Sequence, residues 1–378
     1  MKQNKNSLIS PVVCAVGSNY IICLPTPVEM LVSILVDGLE FFCDDNGVRI
    51  SNSHVQKIAV PGKILDKAGS YTVRYNLVKK RKPYNTELYK TNEIRFSFFP
   101  VRFAEHLNVA HISDVHGLKE PAIKTGMYFG NRLDLLILNG DISSSSDSVG
   151  EVLLPLEIAY EITKGEKPCI ITRGNHDLRG SMAEKLGTFY PTDNGKTYYT
   201  VDFQGISFIV LDCGEDKNDE TDEYGNTVVF HPFRIKETDF LQSLSQTNNP
   251  QFHNNKKIVL SHIPFMYRDK NKIFVIEKDI YTLWCDIMRN RIRPLFGLFG
   301  HIHQTAVFPA GDPYDAYHFG SPIVLGGRPV NDPIHPDVEG AFISLSEKSA
   351  KIVFSNSSHQ ILAKRILTFS DNPEGIRS

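Results

Sequence analysis

The chain has 378 residues, 41% hydrophobic and 10% aromatic, and its 41 Lys+Arg against 43 Asp+Glu give a formal net charge of -2. This composition suffices for real cores and excludes disordered, collagen-like and coiled-coil classes. The near-neutral balance gives no general electrostatic reason to bind DNA, RNA or an acidic membrane. Cys14, Cys23, Cys43, Cys169, Cys213 and Cys285 contain no C-x-x-C pair, so neither a zinc knuckle nor a dithiol motif is spelled. Most of them read as buried apolar residues in a reducing compartment. No apolar run reaches membrane-spanning length. Lys2 and Lys5, followed by Leu8 to Cys14, faintly resemble a signal peptide, but Ser10 and Pro11 interrupt the apolar part. A cytoplasmic location is expected, with export as the alternative.

The first hundred residues read as all-β. Short apolar or alternating runs recur at 11–16, 19–24, 28–36, 39–43, 55–60, 70–78 and 93–99, separated by turn signals such as Asp44-Asp45-Asn46-Gly47 and Lys82-Pro83-Tyr84-Asn85. Strands at this spacing suggest a small sandwich. The basic run Lys79 to Lys82 reads as a solvated hairpin end. After Pro100 strand-like and helix-like stretches alternate, as in a layered α/β fold. Strands are expected at 107–113, 134–140, 168–173, 206–212, 256–261 and 295–300. Helices are expected at 149–164, 234–245 and 277–291. Pro155 lies inside the first of these, so that helix either starts late or kinks. Strands return at 303–309, 314–319, 321–326, 340–346, 350–355 and 360–369. Strand-rich sequence on both sides of the α/β part implies two packed sheets with helices outside.

Five apolar strands end in one kind of chemistry. "NVAHISDVHG" ends at Asp114 and His116, "LLILNGD" at Asp141, and "CIITRGNHD" at Asn175, His176 and Asp177. "KIVLSH" ends at His262, and "PLFGLFGHIH" at His301 and His303. Ligands in layered α/β folds bind beyond the carboxyl ends of strands, so these residues point into one crevice. Oxygen and imidazole donors without a thiolate suit Mn, Fe, Zn or Co. Asp114 and Asp141 carry the negative charge, while Asn175 and the neutral His116, His262, His301 and His303 carry none. Two divalent ions would leave the site net positive, as an anionic phosphate ester requires. One ion could not use so many ligands at ordinary coordination numbers.

The ordered set "SDVHG", "NGD", "RGNHD", "SHIP" and "GHIH" resembles the calcineurin-like metallophosphoesterase family, over roughly residues 105 to 370. The preceding sandwich resembles the fibronectin type III-like N-terminal domain of purple acid phosphatases. The resemblance implies an α/β fold: a four-layer α/β/β/α metallophosphoesterase sandwich at 103–378, preceded by a small all-β sandwich domain at 1–102. It implies hydrolysis of a phosphate mono- or diester by a hydroxide bridging two metal ions. One ion would use Asp114, His116, Asp141 and His303; the other would use Asp141, Asn175, His262 and His301. Asp141 would bridge them. His176 matches the family's non-ligand histidine, which hydrogen-bonds phosphate and assists the leaving group. Ser144 stands where purple acid phosphatases carry a tyrosine, so no tyrosinate–iron charge transfer is expected. Ser144-Ser145-Ser146 also departs from the Asp-Arg-Gly of serine/threonine phosphatases. The expected partner is a small phosphate ester. A nuclease of the same fold is the alternative, and a scaffold that lost its chemistry is the remaining one.

Several neighbours have plainer readings. His111 reads as core or as a support to the ligands, and Asp177 as orienting a histidine or the loop backbone. Arg179, with Asn175 and His176, is a candidate phosphate contact. Arg173 reads as a salt bridge holding the loop. Ser143 to Ser146 could donate to phosphate or simply form a loop. The acidic segment 212–223 reads as a solvated loop, with a third metal site or a lid anchored by Tyr224 and Phe230 as the other possibilities. Arg289, Arg291 and Arg293 read as cations at a helix end.

Overall fold

The computed structural model of the chain describes residues 8–103, 105–267 and 276–369. The strand Leu135–Asn139 shows how the layers arise, because it is buried throughout. Successive side chains point to opposite faces. Leu135 and Ile137 enter one apolar cluster, whereas Leu136 and Leu138 enter another with Val152, Leu156 and Ala159 of the helix Val149–Thr163. The strand Ile206–Val210 repeats this in the other half. Phe208 and Val210 join Leu135 and Ile137, while Ile209 packs with Trp284 and Cys285 of the helix Lys278–Ile287. The shared cluster lies between two half-sheets, and each of the other two lies under helices. This is the four-layer α/β/β/α sandwich.

The half-sheets are joined into one fifteen-stranded ladder. Strand Ile323–Val330 makes the join. Its first part pairs parallel with Phe296–Phe299, and Gly327 to Val330 pair antiparallel with Asp337–Ser346. The N-terminal region is continuous with the same ladder, because Val12–Val16 runs parallel to Pro168–Thr172 with Cys14 opposite Cys169. Asn19–Pro25 and Val55–Pro61 extend that edge. A separate five-stranded sheet contains Met30–Val36, Ser70–Arg81 and Asn92–Ser97. Val32, Ile34 and Val73 of this sheet share the central cluster with Ile22, Ile58 and Val13. The small sandwich is therefore present, and hydrogen bonds and core packing cross residue 102.

Most expected elements stand within a residue or two of their places. The stretch 314–319 does not form a strand. The Asp315 carboxylate accepts the backbone N–H groups of Phe319 and Gly320 at 2.7 and 3.1 Å, an alternative to a ladder. Tyr314 stacks on Phe308 and Tyr267, so its apolar character serves a docked loop. A short helix, Gly62–Ala68, interrupts the otherwise all-β first hundred residues. The helix expected at 234–245 starts earlier, as Phe230–Ser245. Pro232 is tolerated in its first turn, and the carboxylate of Asp219 accepts from the N–H groups of Phe230 and His231 at 3.0 and 3.1 Å. No described helix is long and apolar enough to cross a membrane.

The helix with the internal proline begins at Val149, not late. Ser148 and Glu151 form a reciprocal capping box at its start. Pro155 has no N–H for the carbonyl of Glu151, four residues back. The Ser143 hydroxyl donates to that carbonyl at 2.6 Å. Ser143→Ala should therefore destabilise the fold by about 1 kcal/mol in a chemical denaturation titration. Pro155→Ala restores the backbone donor, so the serine substitution should cost less in that background. Equal cost in both backgrounds would refute this account.

Candidate metal centre

The carboxyl ends of the strands His106–Ile112, Leu135–Asn139, Pro168–Thr172, Lys256–Leu260 and Phe296–Phe299 lead into one cleft. Directly after them the backbone turns. Asp114, His116, Asp141, His301 and His303 all have φ between 47° and 68°, a left-handed region that costs most residues strain and clusters at functional sites. The turns aim backbone donors inward. His301 N–H faces both oxygens of Asp114 at 3.0 Å, and His176 N–H reaches Asp141 Oδ1 at 2.8 Å. Such proximity leaves no room for side chains between loops. A Cβ on Gly174 would lie 2.2 Å from Asp141 Oδ1, and one on Gly140 would lie 2.7 Å from both Gly174 and His262.

The structure brings Asp114, His116 and His303 together, and likewise Asp141, His262 and His301. His116 and His176 also lie with Asp141, their rings 4.7 Å apart. Asn175 joins through Oδ1, 3.0 Å from His301 Nδ1. Asp114 and Asp141 are almost wholly buried, at 0% and 1% exposure.

The tautomers fit a cation. His262 Nδ1–H donates to the carbonyl of Asn139 at 2.7 Å, which leaves Nε2 with a lone pair. That Nε2 is buried without a hydrogen bond, 3.2 Å from Asp141 Oδ2 and 3.9 Å from Asp114 Oδ1. Likewise, the Nε2 atoms of His116 and His303 face each other at 3.0 Å. Lone pairs aimed at one another and at carboxylates repel unless a proton or a metal ion lies among them. Burial alone would make His262 less basic, but Asp141 and Asp114 outweigh it and raise its pKa to about 10. Burial likewise opposes ionisation of Asp141, yet His262 and the other histidines hold it well below the usual carboxylate range. His116 is pushed down to about 4, chiefly by burial. These are the oxygen and imidazole donors that a transition or divalent metal ion takes.

A polar layer under the cleft holds the ligands. Asn139 Nδ2 bonds His111 Nε2 and the Ser261 carbonyl, each at 3.0 Å, and Asn139 Oδ1 accepts from Thr172 at 2.8 Å. Burial pushes His111 down to about 3, so it is a neutral acceptor in this layer. Asp177 Oδ2 accepts from the N–H groups of Gly174 and Asp141 at 2.7 and 3.1 Å, orienting loop backbone. Its pKa is raised to about 7, first by burial and then by Asp141.

The flanking residues are occupied. Arg173 Nε donates to Asp212 at 2.5 Å, and the Arg179 guanidinium holds Glu215 at 3.1 Å and Glu223 at 3.2 Å. Ser144 Oγ donates to the His116 carbonyl at 3.0 Å, and Ser146 Oγ to the Asp177 carbonyl at 2.8 Å. The serine run therefore ties the loops together. The acidic segment is a solvated loop only in its second part: Asp212, Glu215 and Asp216 are buried, whereas Glu220, Asp222 and Glu223 are exposed. Tyr224 and Phe230 are buried beside it. Asp216 Oδ2 lies 3.0 Å from His301 Nε2. Its location at the end of the strand Ile206–Val210 was the only sequence signal for this contact.

Residues 107–305 match the family model described as calcineurin-like phosphoesterase, and the chain belongs to that family. It is accordingly a hydrolase of phosphoric ester bonds, a class whose chemistry implies a divalent metal cofactor. Among solved structures, it is similar to purple acid phosphatase PPD1 from yellow lupin (Lupinus luteus) seeds, with a TM-score of 0.59 and 12% identity over 96% of this chain and 74% of that one. It is also similar to PhoD, with a TM-score of 0.55 and 11% identity over 98% of this chain and 91% of that one. At such identities the likeness is one of fold. A comparison with curated protein sequences finds no match.

Because a Cβ at position 174 meets Asp141 Oδ1 at 2.2 Å, Gly174→Ala should displace that carboxylate and abolish tight metal binding. Gly187 has open space around it, so Gly187→Ala should bind metal as the parent does. Calorimetric titration of chelator-treated protein with Mn²⁺ reads both. Normal binding by Gly174→Ala would contradict the close-approach argument.

Proposed function

We propose that the protein hydrolyses a small phosphate ester at a centre of two divalent metal ions. One observation carries this reading: two buried carboxylates lie among imidazole lone pairs 3.0 to 3.2 Å from their nearest neighbours. Asp114, His116, Asp141 and His303 would hold one ion, and Asp141, Asn175, His262 and His301 the other, with Asp141 shared. Mn, Fe, Zn and Co all suit these donors. Bound ions would supply a hydroxide nucleophile near neutral pH and positive charge for the phosphoryl oxygens.

The chain's own groups do the rest. Asp141 is held by the N–H of His176 at 2.8 Å, so its second oxygen remains directed at the His262 side of the cleft. His176 Nδ1 is held by the carbonyl of Ser144 at 3.0 Å. Nε2 is then the nitrogen available to hydrogen-bond a phosphoryl oxygen or protonate the leaving oxygen. Asn175 combines an amide oxygen toward His301 with an amide N–H₂ that can donate to substrate. Arg179 would act on phosphate through a change of partner, since Glu215 and Glu223 hold its guanidinium.

Turnover of bis-(p-nitrophenyl) phosphate and p-nitrophenyl phosphate, with added Mn²⁺ and with chelator, tests the reading. Chelator-sensitive hydrolysis supports it, and the ratio of the two rates chooses diester or monoester. Asp141→Asn should remove both paired metal binding and turnover; unchanged turnover would sink the shared-carboxylate assignment. His176→Ala should lower kcat by about 10²- to 10⁴-fold while metal content stays at the parent level. Parental kcat in that variant would exclude the proton-transfer role.

A further inference from the structure

We infer, on the reading of the site just proposed, that Glu215 and Asp216 brace one half of the metal centre, with Asp216 a positioning residue that acts through His301. The two ring nitrogens of His301 face different partners. Nδ1 lies 3.0 Å from Asn175 Oδ1, beside a proposed fellow ligand, and Nε2 lies 3.0 Å from Asp216 Oδ2. A carboxylate accepts only, so it selects the tautomer with the proton on Nε2. The lone pair is then left on Nδ1, toward Asn175 and the cleft. A carboxylate behind a ligating imidazole also raises its basicity and fixes its plane.

Asp216 is itself fixed. It is 9% exposed, its N–H donates to Glu215 Oε1 at 2.8 Å, and Lys217 lies 3.3 Å from its other oxygen. Glu215, fully buried, turns its Oε2 to Arg179 at 3.1 Å. Arg179 closes the loop that carries Asn175 and His176, and its carbonyl accepts from Ser146 N–H at 2.6 Å. Adjacent residues of one segment thus grip two ligand-bearing loops, one through His301 and the other through Arg179. The segment is anchored from behind by Arg234, which donates to the carbonyls of Cys213 at 2.9 Å and of Glu215 at 2.5 Å. Ligands held on such a support keep their geometry without relying on the ion to impose it.

The consequence is asymmetric. Loss of Asp216 should weaken the site that uses Asn175, His262 and His301, and leave the Asp114, His116 and His303 site as it was. Mn²⁺ titration of chelator-treated Asp216→Ala should show one of two sites weakened by about 10- to 100-fold. Asp216→Asn retains an oxygen that can accept from Nε2–H and should recover most of that loss. Asp216→Ser, too short to reach the ring, repeats the comparison if the alanine variant does not fold. NMR of ¹⁵N-histidine-labelled, metal-free protein supplies a readout independent of both metal and activity. His301 should carry its proton on Nε2 in the parent and Asp216→Asn, and lose that preference in Asp216→Ala. Parental affinity at both sites together with a parental His301 tautomer would overturn the inference, as would equal weakening of both sites. A parent protein that binds fewer than two ions would overturn the two-metal reading instead, while the tautomer comparison still decides the role of Asp216.

Discussion

Two carboxylates that must be buried side by side set the terms for the rest of this structure. An ionised carboxylate taken from water costs several kcal/mol unless charge and hydrogen bonds compensate it. Asp114 and Asp141 are compensated by backbone N–H groups from loops far away in sequence and by imidazoles above them. To aim those donors, the chain must turn sharply at each strand end, and five of the proposed ligands therefore occupy left-handed backbone. Each such residue costs about 1–3 kcal/mol and persists only where the surroundings over-determine it. The surroundings here are strands whose final residues are buried on both faces.

That constraint explains why the site was legible from sequence. A turn with crossing loops excludes Cβ atoms, so glycine stands at 140 and 174 beside the functional residues. The short patterns Asn-Gly-Asp and Gly-Asn-His-Asp record local sterics as well as chemistry. The strand runs were legible for a related reason: buried strands are apolar on both faces, and each ended where polar ligands began. The layered fold then followed from alternation, with Leu135 and Ile137 facing one core and Leu136 and Leu138 facing another.

What escaped the sequence depended on partners distant in the chain. Asp219 caps a helix eleven residues away, so the start at Phe230 has no local signature. Ser143 repairs the gap left by Pro155, and neither residue announces the other. Asp315 takes over backbone N–H groups that alternation had assigned to a strand. The seven carboxylates of 212–223 read as a solvent-facing run because one lysine sits among them. The cations Arg173 and Arg179 come from another segment and pair with Asp212 and Glu215, and Arg234 bonds the backbone carbonyl of Glu215, so the first part of the run is a buried electrostatic frame. The Asn139 hub is similarly hidden, since its role rests on His111, Thr172, Ser261 and His262 arriving from three other strands or their ends.

This frame also bears on where the charge for an anionic substrate comes from. Arg173 and Arg179 flank the Gly-Asn-His turn and would be the natural phosphate hooks, yet Asp212, Glu215 and Glu223 hold them. Lys217 is matched by Glu215, Asp216 and Glu223. Burial keeps His116 neutral at ordinary pH, with its pKa near 4. His262, with Nδ1 held by the Asn139 carbonyl, would offer Nε2 to a metal ion as a neutral ligand and so add no cation for substrate. The arginine and lysine cations that flank the cleft are thus paired off within the protein. On the proposed reading, a phosphate ester with one or two negative charges would find its compensating field in the metal ions those ligands hold. On the same reading, metal ions would be required for substrate to dwell in the cleft as well as for its hydrolysis, while the protein's own cations serve the loops that carry the candidate ligands.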